Sequence, residues 1–253
     1  MSKVVIVGGG FGGLSLLQEA RKSEHQFLLI DKTNHHLFQP LLYQVATAVL
    51  SPADITVPIR KLFKKDKNVQ ITLGEVVDIN KERKEIILNS NEKIKYDQLV
   101  ISTGSSYSYF GNDEWSKYSK GLKDINDALD IREKILKAFE KAENEEDERL
   151  RKKYLNFVVI GGGPTGVELA GSIAEIAYKN IQKEFRNFSS RDSNIYLIEA
   201  GSKILPTYSN KLSNKASKYL KSLGVTIRTD ERVENIQEFF VATDKDTIET
   251  DNI

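Results

Sequence analysis

The chain of 253 residues has 37 Lys and Arg against 36 Asp and Glu, and this balance gives no electrostatic reason to expect nucleic acid as a partner. It contains no cysteine, which excludes a disulfide framework, a thiolate metal site and a redox-active dithiol within these residues. Only three histidines are present, two of them adjacent, so no metal site is expected. No apolar run approaches the ~18 residues of a membrane-spanning helix, and the N-terminus shows no signal-peptide pattern, so a cytoplasmic protein is expected.

The first predicted unit is a strand, a glycine-rich turn, a helix and a second strand. Apolar residues 4–7 lead into Gly8, Gly10 and Gly13, then into a helical run over residues 14–21 and a strand over residues 27–30 that ends in Asp31. Glycines at this spacing allow a tight turn, close approach of the backbone to a pyrophosphate, and close packing of helix on strand. Free N–H groups at the start of the helix attract phosphate, and an acid at the strand end can accept hydrogen bonds from a ribose. The unit predicts a dinucleotide site; a purely structural glycine turn is the alternative.

The next segment, residues 32–52, is apolar and aromatic and contains two prolines, which predicts an ordered loop with a short helix. We interpret it as one wall of a cofactor site, with packing on the core as the alternative. A short helix over residues 59–63, strands over residues 69–73 and 76–79, and a hairpin over residues 84–96 are expected next. A strand over residues 98–101 then enters the turn at residues 102–105. Ligands bind at such strand ends in open α/β sheets, although an ordinary strand exit fits equally well.

Residues 112–120 show no regular pattern. A helix is predicted from Asp124 onwards, because Asp124 or Asn126 can cap it and apolar residues recur at three- and four-residue spacing up to Ala142. The mixed charges of residues 140–153 indicate a solvated face or a turn between helices.

The chain then repeats its opening pattern. A strand over residues 156–160 is followed by a second glycine turn at residues 161–166, a helix over residues 167–177, and a strand over residues 195–198 that ends in Glu199. A polar extension over residues 179–194 lengthens the unit. A helix over residues 211–223 that ends at Gly224, a strand over residues 225–228, and a β-rich end over residues 233–241 and 247–253 complete the chain. Two such units predict an α/β fold with two Rossmann-like dinucleotide-binding domains, as a flavoprotein that oxidises a nicotinamide cofactor requires.

Three stretches, residues 5–13, 36–47 and 161–171, together resemble the type II NADH dehydrogenases. These are FAD-containing NADH:quinone oxidoreductases of the two-dinucleotide-domain flavoprotein superfamily. The glycine turns indicate only the superfamily, whereas residues 36–47 are specific to the family. The resemblance covers the whole chain and implies an N-terminal part of the FAD domain in residues 1–120 and an NADH domain in residues 121–253. Family members continue beyond the position of Ile253, so a C-terminally truncated member is expected.

The resemblance implies a role for each of the following residues. The FAD contacts would be Gly8, Gly10, Phe11, Gly12 and Gly13 at the pyrophosphate, Asp31 and Lys32 at the ribose, Val76 at the adenine, Gln44, Ala46 and Thr47 near the isoalloxazine, and Thr103 and Gly104 where the domains join. The NADH contacts would be Gly161, Gly163, Pro164, Thr165, Gly166 and Glu199. Glu168 would be the catalytic residue near nicotinamide and flavin; the alternative is a glutamate that merely favours the first helical turns.

The implied reaction is hydride transfer from NADH to flavin and then transfer of two electrons to a membrane quinone, without proton pumping, in a respiratory chain. The implied partners are the quinone, the inner face of the cell membrane, reached through a C-terminal region, and a second subunit of a homodimer. A ferredoxin or rubredoxin reductase also fits the two glycine turns, and a non-catalytic nucleotide-binding fragment fits the shortened chain. A disulfide reductase or a sulfide:quinone reductase would need cysteines.

Overall fold

A computed structural model describes residues 1–181 and 183–253 of the chain. The strands, in chain order, are β1 (Lys3–Val7), β2 (Gln26–Asp31), β3 (His35–Leu37), β4 (Thr56–Pro58), β5 (Val69–Leu73), β6 (Val76–Asn80), β7 (Glu85–Leu88), β8 (Lys93–Lys95), β9 (Gln98–Ile101), β10 (Asn156–Ile160), β11 (Asn194–Ile198), β12 (Val225–Arg228), β13 (Val233–Gln237), β14 (Phe240–Thr243) and β15 (Thr247–Glu249). The helices are α1 (Phe11–Ala20), α2 (Leu42–Ala46), α3 (Ile59–Leu62), α4 (Ile125–Asn144), α5 (Glu148–Leu155), α6 (Pro164–Glu175) and α7 (Asn210–Ser222).

The chain forms two compact units. Unit 1 comprises Met1–Phe38 and Ala53–Ser106, and unit 2 comprises Gln39–Pro52 and Tyr107–Ile253. The sequence predicted one domain boundary, at residue 120. In the structure, unit 2 also includes the short helix α2 from much earlier in the chain. The reason is burial: α2 packs on α4 and α6, and its Leu42, Val45 and Ala46 are buried there.

Unit 1 is built on a parallel sheet with the strand order β5-β2-β1-β9. Alternate residues of β1 face opposite sides of this sheet. Val4 and Ile6 pack with Leu14 and Leu17 of α1, whereas Val5 and Val7 pack against the antiparallel sheet of β6, β7 and β8. Since each fully buried aliphatic side chain contributes about 1.5–3 kcal/mol, this two-sided burial fixes β1 at the centre of the unit.

Unit 2 repeats this plan with a parallel sheet in the order β10-β11-β12 and a second antiparallel sheet of β13, β14 and β15. Val158 and Ile198 of the parallel sheet pack with Val241 and Ile248 of the antiparallel one. The predicted α/β class with two Rossmann-like units is confirmed.

The predicted cap of α4 is present. The carboxylate of Asp124 accepts the backbone N–H of Asp127, and the Asp127 carboxylate accepts the N–H of Asp124 in return. Gly224 ends α7 with a φ of 94°, as the sequence predicted.

The predicted β-rich end of the chain contains β13, β14 and β15. Three local expectations were wrong. The first helix begins at Phe11 rather than at residue 14, and Asp113–Lys117 forms a 3₁₀ turn that buries Trp115. The extension after α6 is not simply polar, because the rings of Phe185 and Phe188 stack on Phe139 of α4, with centroids 5.9 and 6.5 Å away.

Candidate nucleotide-binding sites

The glycine turn of unit 1 depends on two glycines that have no room for a side chain. Gly8 has a φ of 105°, and a Cβ there would overlap the carbonyl oxygen of Ser102. A Cβ on Gly13 would overlap the carbonyl oxygen of Gly8. Glycine at these two positions is therefore required by the turn and by the packing of α1 on it.

The outer face of the same turn is open. At Gly10, the residue preceding α1, no described atom lies within 4 Å of the place that a Cβ would take. Phe11 and Gly12 are exposed, and no acidic residue stands in the first turn of α1. Open space, free N–H groups and the positive end of a helix dipole suit the pyrophosphate of a dinucleotide, so the residues present fit such a group.

Asp31 braces the turn from the end of β2. Its carboxylate accepts the backbone N–H of Gly9 through one oxygen, and both the N–H and the hydroxyl of Thr33 through the other. Lys32 is exposed. The predicted ribose acid thus has a second role in holding the loop that would carry the pyrophosphate.

Ser102 is a residue of this turn that the sequence did not single out. Its hydroxyl lies 3.0 Å from the carbonyl oxygens of both Val7 and Gly8. The serine directly follows β9, and only that position at a strand end could have signalled it. Thr103 and Gly104 come next and are exposed, the latter with a φ of 72°. Val76 packs on the core beneath β1 and β2.

The glycine turn of unit 2 has the same geometry. Gly161 has a φ of 103°, and a Cβ on Gly166 would overlap its carbonyl oxygen. No atom of the described chain lies within 4 Å of a Cβ built on Gly163, and Pro164 opens α6, where its missing N–H costs nothing. Thr165 is exposed beside it.

Glu199 accepts backbone N–H groups of the second turn in the same way as Asp31 does in the first. One carboxylate oxygen accepts the N–H of Gly162 at 2.7 Å, and the other accepts the N–H of Gly201 at 2.7 Å. In both units, therefore, the acid at the end of the second strand holds the middle glycine of the turn.

The residues predicted to lie near the isoalloxazine belong to unit 2. Ala46 is fully buried, and Thr47 is 3% exposed with its hydroxyl donating to the carbonyl of Tyr43 at 2.9 Å. The side-chain amide of Gln44 donates to the Tyr43 hydroxyl at 3.0 Å. Ala46 and Thr47 thus shape the packing of α2 and offer almost no side-chain surface to a ligand.

Glu168 lies in α6, and its side chain is exposed. Partial desolvation by its surroundings nevertheless raises the pKa of its carboxyl above the ordinary value. A carboxyl that holds its proton to higher pH is better suited to proton transfer than an ordinary surface glutamate. Within residues 1–181 and 183–253, no group of three His, Asp or Glu side chains could hold a metal ion, and no helix combines the length and hydropathy of a membrane span.

A comparison with protein families matches residues 2–253 to the model of the pyridine nucleotide-disulphide oxidoreductases. The chain belongs to this family. Although the name of the family refers to a disulphide, none of the 253 residues is a cysteine. The matched residues include both glycine turns.

Similar proteins of known type narrow the relationship. The chain is 41% identical over 237 residues to the type II NADH:quinone oxidoreductase Ndh of Mycobacterium tuberculosis, covering 92% of this chain and 51% of that protein. It is 30% identical to the external alternative NADH-ubiquinone oxidoreductase of Yarrowia lipolytica mitochondria, covering 93% and 42% of the two chains. The chain spans about half the length of the curated relatives that it matches.

Solved structures agree with these relatives. The structure of NDH2 from Plasmodium falciparum in complex with NADH superposes with a TM-score of 0.89 and 28% identity, over 99% of this chain and 54% of that one. The sulfide:quinone oxidoreductase of Aquifex aeolicus has a TM-score of 0.80 at 18% identity, which shows the shared fold alone. The resemblance to type II NADH dehydrogenases that the sequence indicated is thereby confirmed.

Proposed function

We propose that this chain carries the two nucleotide sites of an FAD-dependent NADH:quinone oxidoreductase of the type II NADH dehydrogenase class. The proposal rests on the two glycine turns. In each turn, glycines are required where a Cβ would overlap the backbone, the outer face is open, and an acid accepts a backbone N–H of the turn. One resident nucleotide and one exchanging nucleotide need two such turns. The named activities of the relatives supply the reaction.

Unit 1 is proposed to hold FAD. Gly10, Phe11 and Gly12 present the open face of the turn to the pyrophosphate, with Gly8 and Gly13 shaping the turn behind it. Asp31 and Lys32 stand at the end of β2 for the ribose, and Val76, Thr103 and Gly104 border the same strand ends. When bound, FAD would accept a hydride from NADH and deliver two electrons to a quinone.

Unit 2 is proposed to hold NADH. Gly163 and Thr165 face the pyrophosphate, and Gly161, Pro164 and Gly166 set the path of the backbone. The Glu199 carboxylate would accept hydrogen bonds from the ribose hydroxyls and repel a 2′-phosphate, so NADH should be preferred over NADPH. Glu168 is the proposed catalytic carboxyl, because it lies in α6 just after the second glycine turn, and desolvation there raises its pKa above the ordinary value. Gln44, Ala46 and Thr47 are proposed to lie near the isoalloxazine of FAD, with Gln44 the least buried of the three.

For the whole protein, we infer a membrane quinone as electron acceptor and a location on the inner face of the cell membrane. The quinone names of the relatives support the first inference. Val49, an exposed apolar residue just after α2, supports it too, since flat hydrophobic acceptors favour apolar surfaces. A homodimer of the whole protein is proposed as well.

The test is a two-step reduction experiment. The protein is mixed with FAD and NADH without oxygen, and loss of the flavin absorbance band is followed; then a short-chain quinone, a protein electron carrier and oxygen are compared as acceptors. Rapid reduction by NADH and fastest reoxidation by the quinone are expected. Gly163→Ala should block reduction by NADH while FAD binding persists. Equal rates with the protein carrier or with oxygen would refute the quinone assignment. If NADH did not reduce FAD in the unaltered chain, the assignment of NADH oxidation to these two turns would be refuted.

A further inference from the structure

The middle glycine of the first turn, Gly9, is held at both of its backbone polar groups. Its N–H donates to the carboxylate of Asp31. Its carbonyl oxygen lies 3.2 Å from Nδ1 of His36. A carbonyl oxygen can only accept a hydrogen bond, so this ring nitrogen carries the hydrogen and donates it. Asp31 and His36 stand five residues apart in one short segment, which therefore fixes both groups of the glycine.

The hydrogen bond to the Gly9 carbonyl also orients the next amide. A peptide unit is planar and trans, so its C=O and its N–H point in opposite directions. The C=O of Gly9 and the N–H of Gly10 belong to the same unit, and a carbonyl directed at His36 turns this N–H away from β3. No backbone carbonyl within the described ranges accepts the Gly10 N–H. A free donor is thus directed outwards at the residue where the face of the turn is open.

The His36 side chain is itself held in place. Its strand, β3, pairs with β4 in antiparallel fashion, with His36 opposite Val57. The ring of Phe11, the first residue of α1, lies perpendicular to the imidazole with the centroids 5.0 Å apart. Phe38 contacts the same Phe11 ring at 5.6 Å. Strand pairing and the aromatic contact therefore restrict the movement of the imidazole before any nucleotide is bound.

The second turn holds the equivalent carbonyl with a different donor. The carbonyl oxygen of Gly162 accepts the backbone N–H of Leu205 at 2.6 Å. Leu205 lies in the loop between β11 and α7. Both turns therefore fix the carbonyl of their middle glycine, with a main-chain amide in unit 2 and an imidazole in unit 1. A side-chain substitution can remove this donor from the first turn and leave the second turn as it is.

We propose that His36 is a positioning residue for the nucleotide of unit 1. Its imidazole holds the Gly9 carbonyl and thereby presents the Gly10 N–H to the pyrophosphate. This inference rests on the proposed function, in which unit 1 holds FAD. Donors that are fixed in advance need no ordering when a ligand binds, so loss of this hydrogen bond weakens FAD binding and spares NADH binding in unit 2. The resemblance gave His36, the first residue of the family-specific stretch, no role of its own.

The experiment compares three variants of the same chain. His36→Leu removes the donor. His36→Asn keeps one, since the amide nitrogen of asparagine is attached to Cγ, as Nδ1 is in histidine. His35→Leu is the matched control, because Nδ1 of His35 lies 3.2 Å from the side-chain oxygen of Asn34 and does not contact the turn.

Two kinds of measurement are made on each variant. Fluorescence titrations give the affinities for FAD and for NADH. Without nucleotide, the ¹⁵N NMR signals of the histidine rings show which nitrogen carries the hydrogen, at about pH 9, where an imidazole is neutral. The signals of His36 are identified by their loss in His36→Asn.

His36→Leu should weaken FAD binding about tenfold, and His36→Asn should bring it back to within about threefold of the unaltered chain. His35→Leu should have no effect, and NADH affinity should be the same in all variants. In the unaltered chain, the hydrogen of the His36 ring should be on Nδ1.

A hydrogen on Nε2 of His36 overturns the proposal whether or not FAD binds. Unchanged FAD affinity in His36→Leu, equal losses in His36→Leu and His36→Asn, or a parallel loss of NADH affinity overturns it as well. If the hydrogen is on Nδ1 and the unaltered chain does not bind FAD, the assignment of FAD to unit 1 is refuted, and the hydrogen bond from His36 to the turn is confirmed.

Discussion

At the scale of single residues, Asp31 and Glu199 act alike in the two units. Each carboxylate sits at the end of a second strand and accepts the N–H of the middle glycine of a turn, Gly9 or Gly162. Each also accepts a second N–H two residues further along the chain. Such charge-assisted bonds fix the loop before a nucleotide arrives, so the acid would both shape the site and contact the ribose.

Replacing Glu199 by Gln tests this double role. A glutamine side chain has one acceptor oxygen, so the N–H of Gly162 or of Gly201 loses its partner, and the negative charge that disfavours a 2′-phosphate is lost. We expect NADH to bind about tenfold more weakly, which corresponds to roughly 1.4 kcal/mol, and the preference for NADH over NADPH to narrow. Fluorescence titrations with both nucleotides provide the measurement. Asp31→Asn, the same change in unit 1, is the control and should leave the ratio unaltered; an unchanged ratio in Glu199→Gln would contradict the assignment.

The raised pKa of Glu168 predicts that the stability of the protein depends on pH. Desolvation raises its folded-state pKa above the unfolded value, so the folded protein binds more protons in the window between the two values. The contribution of this residue to stability therefore falls as pH rises through that window. Glu168→Gln should be more stable than the unaltered protein at neutral pH, and the difference should vanish below about pH 4, where both states hold the proton. Urea unfolding across this range provides the measurement, with Glu175→Gln on the same helix as the control for loss of charge. A difference that does not vary with pH would show that Glu168 is an ordinary surface carboxylate.

At the scale of secondary-structure elements, the reciprocal cap of α4 can be tested. Asp124→Ala removes the acceptor for the N–H of Asp127 and should lower the free energy of unfolding by about 1 kcal/mol. Asp130→Ala on the same helix removes only an exposed ion pair with Lys120 and should change stability by less than about 0.5 kcal/mol. Chemical denaturation compares the two variants. Equal effects would mean that the cap contributes no more than a surface charge.

Some of these elements could be predicted from the sequence and others could not. Strands β1 and β10 and both glycine turns were predictable, because apolar runs, glycines and terminal acids lie close together in the chain. The assignment of α2 to unit 2 was not, since it depends on contacts with α4 and α6 far along the chain. Phe185 and Phe188 stack on Phe139, which lies more than 40 positions earlier in the chain, and no sequence period signals this contact. Ser102 was missed for the same reason: its two acceptors lie more than 90 positions earlier.

At the scale of the whole molecule, each compact unit has its own parallel sheet, its own antiparallel sheet and its own glycine turn. A bound ligand protects from exchange the amides that it covers and those whose opening it suppresses. If the proposed assignment is right, the two nucleotides should therefore act on different parts of one chain. The sterically open glycines Gly10 and Gly163 provide a matched pair of substitutions, because alanine there meets no described atom and should leave folding intact.

We therefore expect FAD to slow amide exchange mainly around the first turn and β2 of unit 1, and NADH to do so mainly around the second turn and β11 of unit 2. Gly10→Ala should abolish the effect of FAD and retain that of NADH, and Gly163→Ala should do the reverse, because a methyl group fills the space of the pyrophosphate. Thermal unfolding without ligand should be unchanged in both variants. Protection of both turns by one nucleotide, or the opposite pairing of nucleotide and unit, would require FAD and NADH to be reassigned.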